Sequence, residues 1–356
     1  MDKKGFIQAH SKIKLELYRL YLERYLSVLL TTPFFDRIVV SDVFAGCGVA
    51  QKEEKGSALI AAETIEKIKA DRNRRNKDII LNLNDANKAN CLALQKHLQK
   101  YPFVHITNQD ADQYIQSWEP ALRSHNLFFI DPHGYTQVSV ENLKDLFTME
   151  RSDFLIFVPI YHLFRFKEVD VAQTKPVSDF LKALGVNESD LAKADDVNKF
   201  ADLIVKALRK ISVTQWVYKQ IIENRVYNSS YCLFFITHHI RGAEKFLEAQ
   251  RKLEKEITAS ERQRSFDFVA DLKRRSILDF IEYGKPYDNV LLYELGIKSG
   301  FLPRELNKEL IELENSGGIE VVEFPDKKRQ RKGFYINYDH HINGDRIISV
   351  TFRGKK

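Results

Sequence analysis

The sequence predicts an α/β protein: a Rossmann-like parallel sheet with helices on both faces, a helical insertion, and a smaller carboxy-terminal domain. Three observations predict it. Short strand-like apolar runs alternate with helix-like ones, the rhythm of strands buried on both faces and joined by crossover helices. Glycines and acids cluster where the apolar runs end. From about Asp271 the alternation stops and short amphipathic helices and a basic stretch take over. These changes predict a first domain over 1–268 with an insertion at 167–228, and a second over 269–356.

The first element is a helix. "SKIKLELYRLYLERYLSVLL" places Ile13, Leu17, Leu20 and Tyr21 at helical spacing with Lys and Glu between them. Strands follow at "RIVVSDVFAG", "DIILNLND", "FVHITNQD", "NLFFIDPH" and "DFLIFVPIY". Helices fall between them from Ser57, over "NKANCLALQKHLQK" and over "SVENLKDLFTM". Between Lys167 and Asn228 the chain turns polar and helical, with starts at Ser178-Asp179 and Asp195-Asp196. A strand, "YCLFFITHH", returns to the core, and a long charged helix runs from about Gly242 into the 260s.

The second domain opens with "SILDFIEYG", which puts Ile277, Phe280 and Ile281 on one helical face. "DNVLLYELGIKSG" is a second helix closed by Gly300, and "PRELNKELIELENSGG" a third, with Pro303 near its first turn and Leu306, Leu310 and Leu313 on one side. "IEVVEF" and "GFYINY" flank "PDKKRQRK" as a hairpin. Three helices and a basic hairpin resemble a winged helix, whose third helix ordinarily enters the major groove. Here that helix carries Glu305, Glu309, Glu312 and Glu314 against Arg304 and Lys308, a balance that repels phosphates. The nucleic-acid contact expected from the sequence is therefore the tip alone: Lys327, Lys328, Arg329, Arg331 and Lys332. The competing reading is a turn kept solvated by its charges.

Composition bounds the function. With 356 residues and 44% hydrophobic residues the chain can bury a large core. No apolar run reaches the length of a membrane span, and "MDKKGFIQAHSK" lacks the apolar core of a signal peptide, so a cytoplasmic location without membrane contact is expected. A net charge of +6 tolerates a nucleic-acid partner without requiring one. Cys47, Cys91 and Cys232 lie far apart with no ligand-spaced histidine, which predicts thiols and no metal site. The pairs His238-His239 and His340-His341, taken as strand residues, point to opposite faces and cannot chelate.

The first candidate site is "VVSDVFAGCGV", where Gly46 and Gly48 follow a strand and let backbone approach a ligand. Gln51 stands where a dinucleotide fingerprint needs its third glycine, and Gly56 is followed by Ser57 without the P-loop lysine. What survives is a loop suited to adenosine or a sulfonium. Asp85, ending the next strand, is placed to accept from ribose hydroxyls, and Asp110 or Asp112, after the third, from an adenine amine. Each acid has an alternative as a cap of the following helix. Asp42, Gly46, Gly48, Asp85 and Asp110 fall in chain order on consecutive strand ends.

The second candidate is "FFIDPHGYT". The Asp131 carboxylate and the Pro132 carbonyl both accept from an exocyclic amine, and Tyr135 is placed to stack on a flipped base. This resembles the DPPY loop of amino-methyltransferases acting on nucleic-acid bases, with His133 and Gly134 where that pattern has one proline. A tight turn with a structural tyrosine is the alternative.

Together "HSKIK", "DVFAGCG", "GSALIA", "FFIDPHGY", Arg165-Phe166 and "ITHHIRG" resemble the three-Cys-motif partner family (TcmP) over most of the chain. The resemblance implies a class I methyltransferase sheet, S-adenosylmethionine as cofactor, and a separately encoded partner bearing a three-cysteine motif. It implies that Asp42, Phe44, Gly46, Gly48 and Asp85 line the cofactor site, that Asp131 faces the methyl group, and that His10 and Lys12 close over it. The expected activity is methyl transfer to an amino group of a nucleic-acid base. The alternative is a catalytically inactive methyltransferase-like binding partner.

Overall fold

The computed structural model describes residues 9–49, 54–71, 77–120, 123–132, 134, 137–166, 175–224, 229–260 and 276–354. The chain divides into two units, Met1–Asp271 and Leu272–Lys356. In the first, seven strands among the described residues form one Rossmann-like sheet. They are β1 Arg37–Asp42, β2 Asp78–Asn84, β3 Val104–Thr107, β4 Ser124–Ile130, β5 Ser152–Val158, β6 Trp216–Asn224 and β7 Ser229–Thr237, in the order β3-β2-β1-β4-β5-β7-β6. β1 to β5 pair in parallel, whereas β7 is antiparallel to both β5 and β6. Every residue of β4 and β5 is buried, including the polar Ser124, His125, Asn126, Ser152 and Asp153 at their starts, as central strands of a two-faced sheet require.

The chain leaves β1 toward β2 and β3 and then returns to β4 on the other side of β1. This reversal opens a crevice beyond the carboxyl ends of β1 and β4, where doubly wound sheets bind ligands. Helix α1, Ala9–Thr31, packs against α2 (Ser57–Lys69), α10 (Ile240–Ser260) and the sheet. Its Tyr18 ring stacks on Phe129 at 4.3 Å, Tyr21 donates to Asp153 Oδ2 at 2.6 Å, and the Tyr25 hydroxyl meets His125 Nδ1 at 3.0 Å. Phe129 is near the carboxyl end of β4 and His125 near its start, so α1 runs antiparallel to the strand. Its first turns therefore lie at the crevice.

The remaining helices of this unit are α3 Lys88–Leu98, α4 Ala111–Ser117, α5 Val140–Phe147, α6 Ile160–Phe166, α7 Lys175–Ala183, α8 Glu188–Leu191 and α9 Val197–Ile211. α9 buries Phe200, Ala201, Ile204, Val205 and Leu208 in a cluster shared with Phe128, Phe154 and Ile236 of the sheet. The stretch expected to be helical up to Asn228 is helical only to α9; it ends in the edge strand β6. Lys219 and Gln220 masked that strand in the sequence. In the fold Gln220 is buried, its Oε1 accepting from Gln250 Nε2 at 2.9 Å.

The second unit contains β8 Pro286–Asp288, α11 Asn289–Lys298, α12 Pro303–Asn315, β9 Ile319–Glu323, α13 Tyr338–Ile342 and β10 Ile348–Phe352. Its antiparallel sheet has the order β8-β10-β9. Two expectations are corrected. "SILDFIEYG" forms only a single 3-10 turn, Ile277–Asp279. "GFYINY" is not the second hairpin strand, because β9 pairs with β10. Phe334 and Ile336 are buried at alternate positions, which imitates a strand in sequence, but β10 already has β8 and β9 on its two edges. The buried Asn289 holds this segment instead, donating to the carbonyls of Tyr335 and Asp345 at 3.3 and 2.9 Å and accepting from Ile347 N–H at 2.8 Å.

The histidine pairs are not strand residues either. His340 and His341 sit on the short helix α13, and His238 and His239 in the bend after β7.

Candidate functional site

The loop after β1 is tied to both neighbouring strands. Val43 N–H donates to the Phe129 carbonyl at 3.0 Å and Ala45 N–H to that of Asn84 at 2.8 Å. Gly46 and Gly48 have φ of 63° and 79°, the left-handed region that glycine adopts at no steric cost. A Cβ on Gly48 would lie 2.9 Å from Leu94 Cδ2, and Gly56 N–H donates to the Gly48 carbonyl at 2.8 Å. Both positions favour glycine through their φ, Gly48 with Leu94 close by as well, whereas a Cβ on Gly46 would meet open space.

Asp85 clamps this loop. Its Oδ2 accepts from Gly46 N–H at 2.9 Å, and its Oδ1 from Asn87 N–H at 2.8 Å and Asn90 Nδ2 at 3.0 Å. A carboxylate offers about four acceptor positions, so the clamp leaves one for a ligand. Its neighbour Asn84 is the internal staple: it donates to the carbonyls of Val43 and Gln109 at 3.2 and 3.0 Å and accepts from Gln109 N–H at 3.2 Å. One buried amide thereby fastens the loops after β1, β2 and β3.

Asp42 is fully buried at the end of β1. Its Oδ1 accepts from Phe44 N–H at 3.2 Å, and its Oδ2 is buried without a hydrogen-bond partner. Burial, helped by the Asp131 charge and opposed by Ser57, Phe44 N–H and Lys14, pushes its carboxyl up to about 7. The Tyr18 hydroxyl is likewise buried and unpartnered, its pKa raised by burial and by Asp42. Phe44 is partly buried and packs on the core.

Asp131 follows β4, and its Oδ2 accepts from the ammonium of Lys14 on α1. Lys14 is 7% exposed, and the same Nζ lies 4.2 Å from the centre of the Phe157 ring, a cation–π contact. The site therefore gathers Lys14, Tyr18, Asp42 and Asp131 between α1 and the strand ends. Lys14 and Tyr18 were not among the residues expected from the sequence. Their signal was spacing: Lys14, Tyr18, Tyr21 and Tyr25 recur at helical intervals on one stripe.

The other candidates are dispersed. Asp110 is exposed and accepts from Gln113 N–H at 2.9 Å as the N-cap of α4. Asp112 accepts from Ser139 N–H and Asn142 Nδ2 at 2.9 and 2.7 Å, joining α4 to α5. Lys12 is exposed and pairs with Glu54 at 2.6 Å. The His10 side chain, His133 and Tyr135 lie outside the described residues, while Pro132 is half-buried and Gln137 N–H donates to the Gly134 carbonyl at 3.2 Å.

In the second unit, Arg329 is turned inward. It donates to both oxygens of Glu314 at 2.7 and 2.9 Å and lies 4.5 Å over the Phe334 ring. Lys327 pairs with Asp345 at 3.3 Å. Lys328, Arg331 and Lys332 are exposed.

No family model matches the chain, and no curated protein matches it. Among solved structures, the chain is similar to a Legionella pneumophila protein of the DUF519 family, with 14% identity, 70% of this chain and 93% of that chain covered, and a TM-score of 0.44. It is also similar to an rRNA methylase from Streptococcus thermophilus (7% identity, 62% and 95% covered, TM-score 0.34). A third is precorrin-6y C5,15-methyltransferase from Geobacter metallireducens (11%, 67% and 92% covered, TM-score 0.31). Likenesses this distant say nothing of the reaction or its substrate. No helix among the described residues is long and apolar enough to cross a membrane.

Proposed function

We propose that the chain is an S-adenosylmethionine-dependent methyltransferase acting on an amino group of a nucleic-acid base. The observation that carries this is Asp42: a buried carboxylate with one oxygen unpartnered, at the mouth of the sheet's reversal. Folding alone gains nothing from such a group, because an unpartnered buried carboxyl oxygen is costly, and burial accordingly raises the carboxyl's pKa and disfavours its charged form. A ligand with positive charge offsets that cost.

The residues fit the cofactor chemically. It supplies a methyl group on a cationic sulfur and carries an ammonium besides, and Asp42 and Asp131 offer carboxylates to cations. Gly46 leaves room for a ligand beside the backbone, and Asp85 steadies that loop. Asp131 keeps Oδ1 free of protein hydrogen bonds among the described residues, so an acceptor amine is oriented there while Lys14 holds Oδ2. Tyr135 remains our candidate for stacking on the base. The sequence resemblance supports a partner bearing a three-cysteine motif, for which co-purification is the test.

One observation favours a second reading, a catalytically inactive methyltransferase-like binding partner. The Lys14 ammonium already occupies Asp131 as a donor amine would. Asp131→Asn separates the two. If the chain is a methyltransferase, label transferred from the cofactor to DNA, tRNA or rRNA falls at least about 100-fold in the variant while cofactor affinity stays within a few-fold. If the wild type binds the cofactor and transfers nothing to any of these polymers, the inactive reading stands.

A further inference from the structure

We propose that the outer face of α6 holds an unpaired stretch of nucleic acid beside Asp131. β4 and β5 run in parallel register with Ile130 opposite Ile156, so Phe157 comes level with Asp131, and the Lys14 ammonium touches both. α6 begins at Ile160, two residues after β5 ends, next to the position where the acceptor amine is oriented. Ile160 and Leu163 are buried, and the Phe164 ring packs edge-on against Phe200 at 5.8 Å. At about 100° per residue this leaves Tyr161, His162, Arg165 and Phe166 contiguous on the outward side. His162 and Arg165 are exposed, and Tyr161 and Phe166 half-buried.

The Arg165 guanidinium lies over two rings, 5.9 Å from the centre of Tyr161 and 5.6 Å from that of Phe166. The His162 ring adds to the ledge, its centre 4.8 Å from that of Phe166. No acid stands in "IYHLFRF", and no carboxylate pairs with Arg165 among the described residues; Glu168 and Asp170, further along the chain, lie outside them. Arg329 makes the contrast: it too lies over a ring, but both its arms go to Glu314. Arg165 instead has its plane set by the rings and its donors turned to solvent. A planar fork of donors matches a phosphodiester, and the rings beside it offer stacking to bases. An acidic peptide would use the guanidinium alone, whereas a polynucleotide uses both. Bases are free to stack on protein rings only where they are unpaired, which favours a single strand over a duplex. The inference rests on the reading of a nucleic-acid acceptor, to which it adds a hold on the nucleotides flanking the target base.

The test is fluorescence anisotropy of the full chain without S-adenosylmethionine, from about 50 to 200 mM salt. The probes are RNA and DNA single strands of about 12 nucleotides and the duplex of each. Arg165→Ala, Tyr161→Leu and Lys96→Ala, the last an exposed cation of α3, are compared with the wild type, each checked for an unchanged melting temperature. We expect the wild type to bind a single strand more tightly than its duplex. Arg165→Ala is expected to weaken that binding at least about fivefold and to lower the salt slope by about 0.7. Tyr161→Leu should weaken it about as much with the slope unchanged, and Lys96→Ala should leave it within about twofold. Unchanged binding by Arg165→Ala, an equal loss in Lys96→Ala, or preference for the duplex overturns the proposal and leaves the acceptor reading standing. A wild type that binds no single strand at the lowest salt overturns both.

Discussion

Lys14 and Asp131, 117 residues apart in sequence, form a part-buried ion pair that fastens the first turns of α1 over the carboxyl end of β4. The same ammonium rests on the Phe157 ring of β5, so one side chain joins the helix to two strands. Stripping a partner from such a pair leaves an uncompensated charge. Lys14→Met is therefore expected to cost about 3 kcal/mol in urea unfolding, with the double variant Lys14→Met/Asp131→Asn recovering most of it. Additive losses would mean that the pair is not coupled in solution.

Asp42 predicts a pH dependence of stability. Its carboxyl is raised from 3.8 to about 7, so the folded state binds this proton more tightly than the unfolded chain. The associated stability is fully present below about 4 and is lost as pH rises through about 7. Asp153, raised by burial to about 6, acts in the same direction, whereas buried His125, lowered to about 3, destabilises on acidification below 6.5. Because these oppose, the useful quantity is the difference between wild type and Asp42→Asn. At pH 9 the variant is expected to be more stable by a few kcal/mol, of the order of 4, with the gain shrinking toward pH 4. A pH-independent difference would contradict the assignment.

Asp85 and Asp110 are separable. Asp110→Ala removes a cap and is expected to cost about 1 kcal/mol with cofactor affinity unchanged. Asp85→Ala frees Gly46 N–H and Asn87 N–H together, so thermal stability and cofactor affinity should fall in parallel. Equal affinity losses for the two would remove the distinction between clamp and cap.

Arg329→Ala should destabilise the second unit by about 2 kcal/mol or more, since it strips Glu314 of a bidentate partner, whereas Arg331→Ala should be nearly neutral. Chemical denaturation followed at that unit's tyrosines checks this, and equal effects would contradict the inward placement of Arg329.

How much of this was legible depends on where each signal resides. The strands could be read because β1, β2, β4 and β5 each hold three or more consecutive apolar residues; Gly46, Gly48 and Asp85 stood out as candidates because strand ends concentrate ligands in a parallel sheet, and the structure joins them in one clamped loop. Lys14 was legible only in part: it shares the helical stripe of Tyr18, Tyr21 and Tyr25, opposite Lys12, Glu16 and Arg19, but only its partner across the sheet, Asp131, shows why an ammonium is buried there. Phe334 and Ile336 alternate as in a strand but lack an edge to pair with.

The most direct test of the cofactor site is calorimetric titration of the full chain with S-adenosylmethionine, beside Asp42→Asn. Saturable binding by the wild type, weakened at least about tenfold in a variant that is itself more stable at alkaline pH, is the predicted result. Binding that Asp42→Asn leaves intact would contradict the role given to Asp42, and a folded wild type that binds none would contradict the cofactor itself.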